Sequence, residues 1–246
     1  MSGHSKWATI KHAKGAADAK RGQMFTKLIK EISIAARMGG GSPEGNPRLR
    51  TAILKARVAN MPKDNIDRAI KKGTGELEGV NYEELTYEAY APGGVAVPIE
   101  VLTDNKNRAA ADVRNILTRA GGQLATAGSV SRLFKRQGII TLDGEKYSED
   151  EVMEAALEGG AEDVSLSDGI IEVTTSPEDF ETLINVLSDK NFETTSAEVS
   201  MVAEAEISLD KEGTAKALRL VEKLEENDDV QNVYSNIEIP EGFEAE

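Results

Sequence analysis

Four cations, Lys20, Lys27, Lys30 and Arg37, follow one another at intervals of 7, 3 and 7 residues. On a helix that spacing places them on one side as a single stripe. Arg48 and Lys55, and Arg50 and Arg57, repeat the interval of seven; Lys63 and Arg68 continue the basic run, with Lys71 and Lys72 behind them. Cations so arrayed can follow a phosphate backbone, held by charge and by counterion release, without reading sequence. Upstream, Lys6, Trp7, Lys11, His12 and Lys14 set an aromatic ring and an imidazole among lysines, and Arg21 closes the stretch. A ring in that setting can stack on an unpaired base. It can equally anchor an arm to a core. A polar face is also the ordinary outside of an amphipathic helix, so one stripe decides nothing by itself.

The distribution of charge shifts the balance. Residues 1–72 hold 16 Lys/Arg against 5 Asp/Glu, and the other 174 residues hold 13 against 38, within a chain of net charge −14. From Gly138 onward the count is 6 against 30. A basic head on an acidic protein points to a bounded contact with a polyanion rather than sliding along duplex DNA. The acidic remainder reads either as a solubilising surface or as one that confines binding to the head. A second candidate anion site is the stretch Thr103–Arg108, where Asn105 and Arg108 stand at the start of a helix. There, Asp104 or Asn105 can also be simply the cap.

Other chemistries lack their residues. With no Cys, disulfides, thiolate metal sites and thiol nucleophiles are excluded. His4 and His12 do not form a metal-ligand pair, and no Walker loop, G-x-G-x-x-G or calcium loop is present. No metal and no cofactor are expected, and no enzymatic activity. A carboxylate-based hydrolase is the enzymatic alternative, recognisable by Asp or Glu pairs converging in a pocket. A small-ligand sensor is another. No apolar run approaches a membrane span, and the basic start lacks the apolar stretch of a secretory signal, so a cytoplasmic monomer is expected.

The elements that must position the cations follow from periodicity. After a basic arm, helices are predicted over 21–38, from Asn46-Pro47 as cap and first position, and from Pro62 to Gly73. Phe25, Leu28, Ile29 and Ile32, then Leu49, Ala52, Ile53 and Ala56, then Ile66, Ala69 and Ile70, face inward as a three-helix bundle. The period then changes to two: strands over 82–91 and 95–102 flank Pro92-Gly93-Gly94, with a helix over 106–120 and a strand over 130–134. Next come a strand at 139–142, a helix at 149–158 opened by a Ser148/Glu151 capping box, strands at 163–166 and 170–175, a helix from Ser176-Pro177, and a strand at 192–198. That β-α-β-β-α-β order is ferredoxin-like. A strand (200–208), a helix (211–226) and a strand (230–238) remain. The fold class is therefore α+β. The head (1–78) precedes one α+β domain in two segments (79–136 and 200–240), interrupted by an acidic ferredoxin-like domain (137–199), with a tail at 241–246.

The stretches GHSKWATIKHAKGAADAKRGQMFTKLIKEI, GGGSPEGNPRLR, NMPKDNIDRAIKKG, YEAYAPGGVAVPIEVLTDNKNR and GGQLATAGSVSRLF resemble the YebC family. That family includes bacterial proteins labelled probable transcriptional regulators and the mitochondrial translational activator of cytochrome oxidase. The resemblance covers most of the chain and implies three domains, the third inserted in the second, which agrees with the nesting read from the elements; from those elements both α+β domains are expected to be of ferredoxin-like character. Ala125 and Arg132 depart from its pattern, which commonly has Gly and Trp there. It implies a nucleic-acid-binding regulator of gene expression. A ribosome- or RNA-associated translation factor is favoured because net −14 suits a local contact, and a DNA-binding transcriptional regulator is the alternative.

Overall fold

Apolar residues at helical spacing close the head on one core. The computed structural model describes residues 18–240 and 243, with side chains from 21 onward. Helix α1 (Asp18–Gly39), α2 (Pro47–Val58) and α3 (Lys63–Thr74) bury Ile32, Ala35, Ala36, Leu49, Ala52, Ile53, Ala56, Ile66 and Ala69 together. Asn46 is the hinge pin of this packing. Its side chain accepts from the Leu49 amide at 3.1 Å, capping α2, and donates to the Ala35 and Gly40 carbonyls at 2.8 Å, closing α1. Gly73 does not end α3, as its type suggested; the helix runs one residue further and Gly75, at φ +84°, terminates it. Gly73 serves close packing instead, because a Cβ there would lie 2.3 Å from the Ser33 carbonyl oxygen of α1.

A first sheet takes strands from both ends of the remaining chain, in the order β3-β1-β2-β8. Its strands are β1 (Glu83–Ala91), β2 (Val95–Thr103), β3 (Gln123–Leu124) and β8 (Val230–Val233). Helices α4 (Lys106–Arg119) and α7 (Lys211–Glu225) bury Val113, Leu117, Leu220 and Leu224 against Val97, Ile99 and Val101. This order is not the ferredoxin one: β1 and β2 are neighbours joined through the tight Pro92–Gly94 turn, so no strand can lie between them.

The second sheet, β5-β6-β4-β7, is built wholly from residues 134–203: β4 (Phe134–Asp143), β5 (Ala161–Ser167), β6 (Ile170–Thr175) and β7 (Thr194–Ala203), with α5 (Glu149–Leu157) and α6 (Phe180–Asp189) on one face. Its pairing order is the split βαβ pattern. Three local expectations are corrected here. Residues 131–133 form a 3₁₀ turn rather than a strand, and β4 starts at Phe134 and runs unbroken to Asp143. The strands expected at 192–198 and 200–208 are largely one, β7, which pairs with β4 from Phe134↔Ala203 to Leu142↔Thr194. The boundaries at 136/137 and 199/200 thus fall inside a continuous ladder. Ser176 does not cap α6: it closes a turn onto Asp179, and the helix starts at Phe180. Where β4 meets the first sheet, Phe134 and Val130 pack with Ala96 and Tyr234 in a small apolar cluster. No described helix is long and apolar enough to cross a membrane.

Candidate nucleic-acid interface

Helix α1 carries the first predicted stripe, and most of it faces protein. Lys30 is buried and forms a 2.6 Å ion pair with Asp229, beside β8. Its ammonium also donates to the Asp228 carbonyl at 2.8 Å. Lys27 donates to the Glu225 carbonyl at 2.6 Å, and the Gln23 amide to that of Glu226. These carbonyls end α7, where backbone acceptors lack helical partners and the helix dipole is negative. Lys27 and Gln23 of α1 therefore cap another unit's helix, and Lys30 holds the turn just beyond it. Arg37, one turn and more beyond, donates to the Tyr82 carbonyl at 2.5 Å, tying α1 to the start of β1. Of the predicted stripe, Lys30 is buried and Lys27 half-buried against protein, while Arg37 remains exposed beside its Tyr82 contact. The hydrophilic face of α1 is apolar-poor because it meets carbonyls and a carboxylate. Reversing these three charges would break the seam between head and first sheet, so their loss reports on folding before it reports on nucleic acid.

The second candidate folds into the same seam. Asn105 caps α4, accepting from the Arg108 amide at 3.0 Å, which settles the choice between Asp104 and Asn105. Arg108 donates to Asp229 at 2.8 Å and Asp104 at 2.6 Å, and Thr103 donates to Asp229 at 3.0 Å. Burial pushes the Asp229 carboxyl up, but Lys30 and Arg108 outweigh it and hold the group below its ordinary value. Asp229, and chiefly its hydrogen bonds, in turn hold Arg108 protonated more firmly than usual. A groove of about 490 Å³ opens over these residues between α1, α4 and the end of α7, with Asp104, Asp112, Glu226 and Asp228 on its walls. Carboxylates thus converge in a cleft, but the buried one, Asp229, already has three donors.

Helix α2 reaches in two other directions. Arg48 is held between Glu31 of α1 and Glu84 of β1, at 2.7 and 2.5 Å. Burial alone would lower its pKa, and the two carboxylates more than reverse that. Arg50 pairs with Glu181 at the start of α6 at 2.6 Å, and Lys55 with Glu198 of β7 at 3.4 Å. Both of these pairs stand in solvent.

What remains of the basic head is one continuous stretch. Arg57 at the end of α2 and Lys63, Arg68, Lys71 and Lys72 on α3 are exposed and make no ion pair among the described residues. Asp64 and Asp67 lie on the same helix. Arg21 is exposed and sits over the Phe25 ring at 5.7 Å. Lys6, Trp7, Lys11, His12 and Lys14 lie outside the described residues, as does the Lys20 side chain. Among the described residues no His, Asp and Glu group has the arrangement of a metal site.

Glu88 is a residue that sequence reasoning missed. It is buried in β1 and accepts from the Gly128 and Val130 amides at 2.9 and 2.6 Å. Burial raises its pKa, yet these amides overcome that and hold it ionised below the ordinary value. It fixes the 125–131 loop, with Gly128 at φ +83°. The signal available was a lone Glu on the strand between Tyr87 and Ala89, where alternation alone marks only a solvent face. Arg132, which departs from the family pattern, is exposed after this loop and donates to the Ser129 carbonyl at 3.3 Å.

Comparison with known proteins accounts for both parts of the chain. A family model described as TACO1/YebC protein N-terminal domain matches residues 5–76, and one described as TACO1/YebC second and third domain matches residues 82–237. A protein of Treponema denticola named a probable transcriptional regulatory protein is 68% identical over 244 residues, covering 99% of each chain. A relative of the same name from Leptospira biflexa is 53% identical over the full length of both. The crystal structure of a conserved hypothetical protein from Aquifex aeolicus superposes with a TM-score of 0.83 at 47% identity, covering 91% of this chain and 93% of that one. The chain belongs to the TACO1/YebC family.

Proposed function

We propose that this TACO1/YebC member is a nucleic-acid-binding regulator of gene expression that grips phosphate with the end of α2 and the outer face of α3, on ribosomal RNA. The observation that carries this reading is the cluster Arg57, Lys63, Arg68, Lys71 and Lys72: exposed and unpaired with described carboxylates, in a head whose other described cations mostly have protein partners. Phosphate neutralisation releases counterions and rewards such a cluster wherever the polyanion can reach it. The acidic remainder favours a bounded contact inside an RNA-rich cleft over a long duplex. Binding rather than catalysis is supported by the cleft around Asp229, whose buried carboxylate is already engaged by Lys30, Arg108 and Thr103. The protein acts as a cytoplasmic monomer, and residues 134–203 are its inserted third domain.

A DNA-binding reading has its own support. Residues 59–62 join α2 to α3, with Asn60 at φ +58°, a short turn of the helix-turn-helix kind. The relatives' names, probable transcriptional regulatory protein, fit it too. Crosslinking from α3 in cells separates the two. The expected result is ribosomal RNA adducts, lost in a Lys63→Glu/Arg68→Glu/Lys71→Glu variant together with ribosome co-sedimentation. Adducts to chromosomal DNA alone, or co-sedimentation that survives the triple change, would overturn the RNA assignment.

A further inference from the structure

The two seams that hold the head differ in kind. Against the first sheet, Lys30 and Asp229 are 7% and 5% exposed, and α1 side chains close the Glu225 and Glu226 carbonyls at the end of α7 and the Asp228 carbonyl just beyond it. Against the second sheet unit, α2 offers the ion pairs Arg50–Glu181 and Lys55–Glu198, whose side chains are between 35% and 47% exposed. Exposed pairs of this kind hold weakly and are screened by salt. The guanidinium of Arg50 keeps its place without Glu181, because it also donates to the Pro43 carbonyl at 2.8 Å. The second sheet unit is carried on a two-stranded stem seated on the small apolar cluster around Ala96 and Tyr234: Phe134–Gln137 pair with Ala203–Ser200, whereas β6 begins its pairing with β4 only at Gly138. Two-stranded ribbons twist and bend more readily than the four-stranded sheet beyond.

We infer that Glu181 and Glu198 compete with nucleic-acid phosphate for Arg50 and Lys55, so that binding at the head displaces the acidic sheet unit and enlarges the basic surface. The inference rests on the proposed nucleic-acid role of the head and adds its regulation. The geometry is that of substitution. A phosphate oxygen accepts from the same Nη2 and Nζ donors that the two carboxylates now occupy. Arg50 and Lys55 lie on the helix that carries Arg57 in its last turn, exposed and without an ion pair among the described residues, so the cluster on α3 can seat a strand first and the guarded pair can join it afterwards. The acidic unit then acts as an electrostatic gate that weak or short polyanions fail to open.

Two measurements test this on the full-length protein, using a structured RNA of about 30 nucleotides as probe. The chain has no Cys, so Val58→Cys and Leu157→Cys, both at exposed positions, accept a donor and an acceptor dye. The expected result is a longer inter-dye distance on adding RNA. In unlabelled protein, Glu181→Gln/Glu198→Gln should tighten RNA binding about fivefold, the scale of two exposed ion pairs. An unchanged distance and unchanged affinity in a protein that still binds RNA would overturn the gate and leave the nucleic-acid reading intact. Failure of the wild type to bind RNA or DNA would remove that reading and the gate with it.

Discussion

Helices α1 and α3 carry similar cations and put them to opposite uses. Lys27, Lys30 and Arg37 on α1 spend their donors on the carbonyls at the end of α7, on Asp229 and on Tyr82. Lys63, Arg68, Lys71 and Lys72 on α3 face solvent. Spacing along the chain is the same signal in both. What separates them is where the fold places unsatisfied acceptors, and only α1 runs across the end of another helix. A basic stripe is therefore a statement about a face, and the partner of that face is decided by distant residues.

The contrast is broken most severely by removing one side of the buried pair. Lys30→Met should leave Asp229 with Arg108 and Thr103 but without its buried ammonium, costing about 3–5 kcal/mol in denaturant unfolding. A Lys30→Met/Asp229→Leu double variant should recover part of that, since it removes the buried carboxylate that Arg108 alone would otherwise balance. Next, Gly73→Ala, which forces a Cβ against the Ser33 carbonyl, should cost about 1–3 kcal/mol by urea midpoint without touching any cation. If it instead abolished nucleic-acid binding at unchanged stability, the α1–α3 geometry would matter beyond packing.

Acid sharpens the comparison because only one of the two cation sets faces a buried carboxylate. The Asp229 pKa is depressed in the folded protein, so its contribution is complete above the ordinary value of 3.8 and is lost as pH falls through that value toward the folded one. The stability difference between wild type and Asp229→Asn should therefore narrow as pH is lowered from 6 to 3. A constant gap would mean that the carboxylate's charge is not what holds the seam. The smallest stability effect is expected on α3. Lys63→Gln, Arg68→Gln and Lys71→Gln together should change unfolding free energy by no more than about 0.5 kcal/mol. The same variant should flatten the salt dependence of RNA binding by about two charge contacts.

Much of the local structure was legible because its causes are local. Asn46-Pro47 announced α2, and the Ser148/Glu151 box opened α5 with both hydrogen bonds in place. The inward residues of α2 were readable from spacing alone. The misreadings have non-local causes. The Val-Ser-Arg-Leu-Phe stretch looks like a strand, but Glu88 draws its preceding loop inward and leaves 131–133 as a tight turn. β4 and β7 were each cut in two because their ends pass through an apolar cluster supplied by Ala96 and Tyr234. The role of Lys30 could not be read from its neighbours, since its partner is 199 positions away. Of the exposed cations on α3, Lys63 and Arg68 belong to the predicted set and Lys71 and Lys72 do not; the engaged cations of α1 and α2 belong to it too, and charge pattern offers no means of separating them.

The Lys30–Asp229 pair also bears on when the molecule is finished. Synthesis runs from the N-terminus at about 5–20 residues per second, so roughly 10–40 s separate the making of the lysine from that of its carboxylate. During that interval the head can close its own core, because Ile32, Leu49 and Ile66 are all present. The face that will meet α7 remains hydrated and positively charged. The last described helix to leave the ribosome is therefore the one that docks the first unit made. A chain truncated before Lys211 would lack every one of these latches while its head keeps all the residues of its own core.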